Sequence, residues 1–221
     1  DLRDSDHCWI RDNDLHHQNT GVRVRRSLAH ANVIEDNRIR DTSVYGWPWD
    51  AVKNHTAEAS GISVTHGEAN IVRRNRIEGT FNGVYTGEFG DSDPSIARDS
   101  DVYANELVQN GDDGLEAEGA QINVRMWGNR VREAKNAISV APIEIGPIWF
   151  VRNLVDGFQD HTFKVNNGST GWIFAYHTTA VPLSGAEWSG AQAMAPSLPF
   201  GPFVTRNNIL VANRYVIEYG E

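Results

Sequence analysis

The amino-acid sequence predicts an all-β solenoid, a stack of short strands wound into repeating coils. Three patterns predict it: an asparagine that returns at a near-fixed interval, apolar residues at fixed offsets from it, and a third strand-like segment further on. Asparagine stands at Asn13, Asn37, Asn75, Asn105, Asn129, Asn153 and Asn207, with His177 in the same slot between the last two. The intervals are 24, 38, 30, 24, 24, 24 and 30 residues, so the longer ones read as insertions into a repeated unit.

The first strand of each unit ends near the residue three before the slot, which is Ile10, Ile34, Val72, Val102, Met126, Phe150, Phe174 or Val204, apolar every time. The second follows the slot, with Leu15, Ile39, Ile77, Leu107, Val131, Val155, Thr179 and Ile209 two residues on, where only Thr179 departs. The third is carried by Gly21-Val22-Arg23-Val24, Gly61-Ile62-Ser63-Val64, Gly83-Val84-Tyr85-Thr86, Gly114-Leu115-Glu116-Ala117, Ala137-Ile138-Ser139-Val140 and Thr162-Phe163-Lys164-Val165. Inside these segments apolar and polar residues alternate with the period of two that strands require. Strands this short cannot each hold a core, so the units must stack and bury their apolar columns as continuous ladders. A side-chain amide at one turn of every coil then has a purpose: it can satisfy backbone and amide groups of the neighbouring coil that the bend leaves unpaired. The expectation is about eight coils of three strands each.

On these residues, together with the paired-asparagine stretches Asn32-Val33 to Asn37-Arg38-Ile39, Asn70-Ile71 to Asn75-Arg76-Ile77 and Asn123-Val124 to Asn129-Arg130-Val131, the chain resembles the right-handed parallel β-helix proteins of the pectate-lyase-like superfamily. The resemblance covers nearly the whole chain. It implies the fold, a single domain over 1–221, and a site on the face built from the Gly-Ile-Ser-Val strands. Lyases, hydrolases, epimerases, tailspikes and adhesins all use this architecture, so it does not by itself choose an activity.

Composition narrows the partners. The first residue is Asp1 and the repeat is already running by Asn13, which predicts a piece of a longer chain. With 29 acidic and 20 basic residues the net charge is −9, which argues against nucleic acid and anionic membranes, since both need a basic footprint. A neutral polysaccharide, or an acidic one bridged by Ca²⁺, remains compatible. No apolar run is long enough to span a membrane. The lone Cys8 excludes an internal disulfide and a cysteine metal cluster, and its place before Ile10 suits a small buried hydrophobe.

Insertions in a solenoid become loops, and loops gathered on one side mark a working face. Three are expected, at 44–60, 88–99 and 180–201, the third containing Trp188. The first two flank the Gly-Ile-Ser-Val face and would wall a groove along it. Outward side chains of that face read Arg23, Ser63, Tyr85, Glu116, Ser139 and Lys164, with Arg25, Thr65, Gly87, Glu118, Ala141 and Asn166 beside them. Glu116 and Glu118 thus share a strand about 7 Å apart, which suits the acid and base of a glycosidase or, with Asp112 and Asp113, the oxygen ligands of Ca²⁺. The resemblance to Ca²⁺-dependent β-helix lyases implies Lys164 as a proton-abstracting base. Tyr85, Ser139 and His66 are expected to contact substrate. Trp47 and Trp49, in one loop with Tyr45, would form an aromatic wall for stacking on sugar rings or a small core of that loop's own. The other histidines assemble no zinc set. These readings converge on a secreted or surface carbohydrate-active protein that works on a polysaccharide. The competing reading is a non-catalytic stalk or adhesion module.

Overall fold

A computed structural model describes residues 1–221 apart from 27, 45, 57, 89, 91–95, 167, 195–200, 220 and 221. The chain is a parallel β-helix. On one face Trp9–Arg11, Val33–Glu35, Ile71–Arg73, Asp101–Tyr103, Val124–Trp127, Ile148–Val151, Ile173–Tyr176 and Phe203–Arg206 pair in that order. A 15-stranded sheet covers the other two faces, because Arg130–Ile143 and Leu154–Val165 run unbroken through the corner that separates them. One of these two faces carries the strands that follow the asparagine slot, and the other carries the Gly-Ile-Ser-Val strands.

The three apolar columns all point inward. Ile34, Val72, Val102, Met126 and Phe150 form the first, Ile39, Ile77, Leu107, Val131 and Val155 the second, and Val22, Ile62, Val84, Leu115, Ile138 and Phe163 the third, none more than 2% exposed. Glycine heads the third-face strands because successive backbones nearly touch there. A Cβ on Gly83 would come within 2.3 Å of the Gly114 carbonyl oxygen, and one on Gly114 within 2.8 Å of that of Ala137.

Asparagines form a buried ladder along one corner. Asn105 donates its backbone N–H and its Nδ2 to Asn129 Oδ1 at 3.1 and 3.0 Å, and Asn129 repeats both bonds to Asn153 at 3.0 and 3.1 Å. Each Nδ2 also reaches back to a carbonyl oxygen of the previous coil, as Asn129 does to Val102 at 3.0 Å. Asn129→Ala would strip partners from the Asn105 amide and the Val102 carbonyl. Each buried group left unpaired costs about 1–3 kcal/mol, so a fall in stability of that order per group is expected in denaturant titration. An unchanged midpoint would show the ladder to be decorative.

The ladder corrects the register expected past Asn153. That coil holds one more residue than the spacing suggests, so Thr178 and Asn208, not His177 and Asn207, occupy the slot: the Thr178 backbone N–H donates to Asn208 Oδ1 at 2.7 Å. The apolar place given to Thr179 belongs to the fully buried Ala180. Ala175 stacks on Phe150, while Phe174 turns outward against Trp149 with ring centroids 4.2 Å apart. Trp172 is likewise on the surface.

The first insertion folds into a short helix, Trp49–Val52, and a satellite cluster of Val44, Val52, Ala59 and Phe81 pins it to the coils. Half of the second insertion, and Tyr45, lie outside the described residues. No helix among the described residues is long and apolar enough to cross a membrane.

Candidate functional site

Polar side chains on a sheet face are usually solvated. On the face of the Gly-Ile-Ser-Val strands they are enclosed. A cleft of about 530 Å³ runs along it, lined among others by Arg23, Lys53, Glu58, Tyr85, Glu116, Glu118 and Lys164. Lys53, Asn54, Thr56 and Glu58 come from the first insertion, so this loop builds one wall, and Glu88 at the root of the second insertion lines the cleft as well.

Strand Asp113–Gly119 supplies the acids. Leu115 and Ala117 face the core, so Glu116 between them faces the cleft floor, where it is only 3% exposed. Asn82 donates Nδ2 to Glu116 Oε2 at 2.8 Å. Burial raises the Glu116 carboxyl well above the usual carboxylate range, and repulsion from Asp113 adds to it against the pull of Lys53 and Lys164. The pairing with the next coil is irregular between Ala117 and Gly119, where a bulge in the neighbouring strand sets two residues, 141 and 142, opposite Glu118. Glu118 is less deep, accepts a hydrogen bond from the Tyr85 hydroxyl at 3.0 Å, and is also raised by burial, with the Tyr85 bond working the other way.

Next to the glutamates two lysines each pair with a buried aspartate. Lys53 Nζ reaches Asp112 Oδ2 at 3.0 Å and Glu58 Oε1 at 2.5 Å, and Lys164 Nζ reaches Asp113 Oδ2 at 3.0 Å. Both aspartate side chains are 0% exposed. Burial alone would lower the Lys164 amine, but Asp113, Asp112 and Glu116 outweigh it and leave the amine raised; Lys53 shows the same balance. A chain of hydrogen bonds supports Asp113 from the far side. Asn136 donates Nδ2 to Asp113 Oδ1 at 2.9 Å and accepts at Oδ1 from His161 Nδ1 at 2.9 Å, and His161 Nε2 meets the Tyr215 hydroxyl at 2.9 Å.

Residues 1–174 match a family model described as the right handed beta helix region. The chain belongs to the right-handed β-helix family. A comparison with curated proteins finds no match, and a comparison with solved structures finds none. Membership therefore supports the fold of this β-helix, and its chemistry rests on the cleft.

This right-handed β-helix brings Tyr85, Glu116, Glu118 and Lys164 together, as the column reading expects, and separates other candidates from them. Ser139 lies in register between Glu116 and Lys164, but it is 0% exposed because Lys164 spans its coil to reach Asp113, so it cannot contact substrate in this arrangement. His66 is 6% exposed, bonded to Thr65 Oγ1 at 2.7 Å and bridged to Ile96, and does not itself line the cleft although Thr65 does. Trp47 and Trp49 do not line it either; Trp49 carries the Lys135 ammonium 5.0 Å over its ring. Asp112, Asp113, Glu116 and Glu118 do not form a cation cage. Lysines occupy the faces of both aspartates, and no three His, Cys, Asp or Glu side chains converge as metal ligands among the described residues. Lys164, held as an ammonium by Asp113, does not fit the role of a proton-abstracting base.

Lys53, Asn82, Asn136 and His161 were missed. Three of them left a trace: Asn82, Asp113, Asn136 and His161 stand three residues before Tyr85, Glu116, Ser139 and Lys164, a polar column in consecutive coils. Lys53 left none, because a cation in an irregular loop has no periodic partner.

Proposed function

We propose that the cleft binds a polysaccharide along the helix axis and hydrolyses it, with Glu116 as general acid and Glu118 as its carboxylate partner. The observation that carries this reading is the burial of Glu116 in the floor of an open cleft, where the neighbouring negative charge of Asp113 also favours the protonated form. A carboxyl whose burial favours the protonated form can give its proton to a glycosidic oxygen as the bond to the anomeric carbon breaks. Glu118, less buried and oriented by Tyr85, takes the proton of the water that attacks that carbon. Residues two apart on a strand lie about 7 Å apart, inside the 5–9.5 Å span that such carboxyl pairs use.

Elimination is supported less well, because it needs a free base. Lys164 is committed to Asp113, and the Tyr85 phenol is pushed up by burial and by Glu118 and Glu116, so neither is poised to accept a proton. A panel of neutral and acidic polysaccharides, assayed with Ca²⁺ and with chelator, separates the possibilities. Hydrolysis gives new reducing ends without ultraviolet absorbance from unsaturated uronates, and chelation leaves the rate unchanged. Unsaturated products would replace this reading with a lyase, and no product from any substrate would replace it with a stalk or adhesion module.

A further inference from the structure

The third insertion builds a second recess, on the edge of the stack that precedes the cleft strands. It encloses about 310 Å³ and is lined by Gln159, Asp160, Leu183, Ser184, Glu187 and Trp188 among others. Trp188 is 71% exposed, the highest value among the large apolar side chains described. An indole left so open would be expected on a loose loop, yet this loop is firmly built. Leu183 N–H bonds Phe158 O at 2.9 Å, Ala186 N–H bonds Leu183 O at 3.1 Å, and Ser189 N–H bonds Ala186 O at 3.1 Å. Asn213 Nδ2 ties the same turn at Ala186 O at 2.9 Å, and the Arg214 guanidinium lies 4.8 Å over the Trp188 ring.

We infer that this recess is a saccharide-binding subsite for a chain of uncharged pyranoses, with Trp188 as the stacking platform. An indole backed by a guanidinium on a hydrogen-bonded turn offers its apolar surface with less side-chain freedom to lose on binding. Asp160, Glu187, Gln159 and Ser184 supply the acceptors and donors that ring hydroxyls need beside it, and Leu183 the apolar floor. Charge selects within this class. Asp160 is paired with Lys135 at 3.1 Å, and the Arg214 guanidinium lies over the indole, so the recess carries charges of both signs and selects for neither an anion nor a cation. Lys135 also lies over Trp49, so a second exposed indole stands along the same edge, about two to three coils, or roughly 10–15 Å, from Trp188. That distance matches two or three sugar units. Trp49, outside the cleft, fits this edge.

The subsite is independent of catalysis in the cleft, and the test keeps the two apart. Cellohexaose, mannohexaose, xylohexaose and maltohexaose are titrated into the protein by calorimetry, with hexagalacturonate and choline as charged probes. One of the neutral hexaoses is expected to bind, Trp188→Ala to weaken it at least tenfold, and Trp188→Tyr to retain most of the affinity. Arg214→Ala, which frees the ring, is expected to weaken it about threefold. Glu116→Gln leaves this affinity unchanged even where it abolishes turnover. Unchanged melting curves exclude misfolding of the variants. Absence of binding by all four neutral hexaoses, tighter binding of hexagalacturonate or choline, or indifference to Trp188→Ala would each overturn the subsite, whatever the cleft proves to do.

Discussion

Glu116→Gln is expected to lower turnover by about two to four orders of magnitude, the usual worth of a positioned general acid. Glutamine keeps the shape and can still accept the Asn82 hydrogen bond, but it has no proton to give. The same substitution is expected to leave the fold intact and to stabilise it at alkaline pH, which distinguishes a catalytic loss from a structural one. The folded state holds the Glu116 pKa above its unfolded value, chiefly through burial and then through Asp113. Between those two values the native state keeps a proton that the unfolded chain has released, so stability is full below the usual carboxylate range and falls as pH rises through the folded pKa. Glutamine has no such penalty. Melting temperatures measured from weakly acidic to alkaline pH should therefore diverge, with the variant increasingly above the parent. Parallel curves would show that Glu116 ionises freely, and full activity of the variant would show that it is not the acid.

Phe150→Ala is expected to cost about 3–5 kcal/mol, which for a chain of this size corresponds to roughly 6–20 °C in melting temperature. Phe150 is 0% exposed and packs edge to face on Phe163, with centroids 6.4 Å apart. Its ladder neighbours are Met126 and Ala175. The small Ala175 leaves the space beside it to the Phe150 ring, so no adjacent side chain on that side can fill the hole. Turnover should survive wherever the variant is folded, because the loss lies in the core and not in the cleft. A melting temperature unchanged within error would mean that the ring is not the core element its burial indicates.

The fold was legible because it obeys two periods at once. The asparagine interval locates the corners, and the alternation within strands gives the inside and outside of each face, so Ile34, Ile39 and Val22 could be assigned to the core from spacing alone. Register failed where a single residue was added, between Phe158 and His161 in the strand Leu154–Val165, since one extra residue at a corner leaves the apolar alternation on either side of it unchanged. The site was legible only along the strands. Tyr85, Glu116, Glu118 and Lys164 lie on periodic elements and could be stacked in thought. Lys53 and Glu58 arrive from an irregular loop whose path the period does not determine. Burial was also invisible: the alternation marks a side chain as outward-facing but not as enclosed, as Ser139 is under Lys164 and Asp112 is under the loop. What these lysines contribute is charge balance, a property of enclosure that a linear pattern does not carry.

The asparagine corner has an electrical sense. From Asn13 to Asn129 every side-chain amide gives one N–H to the side-chain oxygen of the asparagine in the coil that follows, at 2.9–3.1 Å, and no side-chain bond between these asparagines runs the other way. Amide dipoles aligned head to tail polarise one another, so each bond is strengthened by those above and below it. The array therefore behaves as one extended dipole, oxygen end at Asn13 and hydrogen end at Asn153. Interrupting it in the middle divides it into two shorter, weaker arrays, while interrupting it at Asn13 merely shortens it. The worth of an asparagine here depends on its rank in the array, even where the local contacts of two such residues are the same.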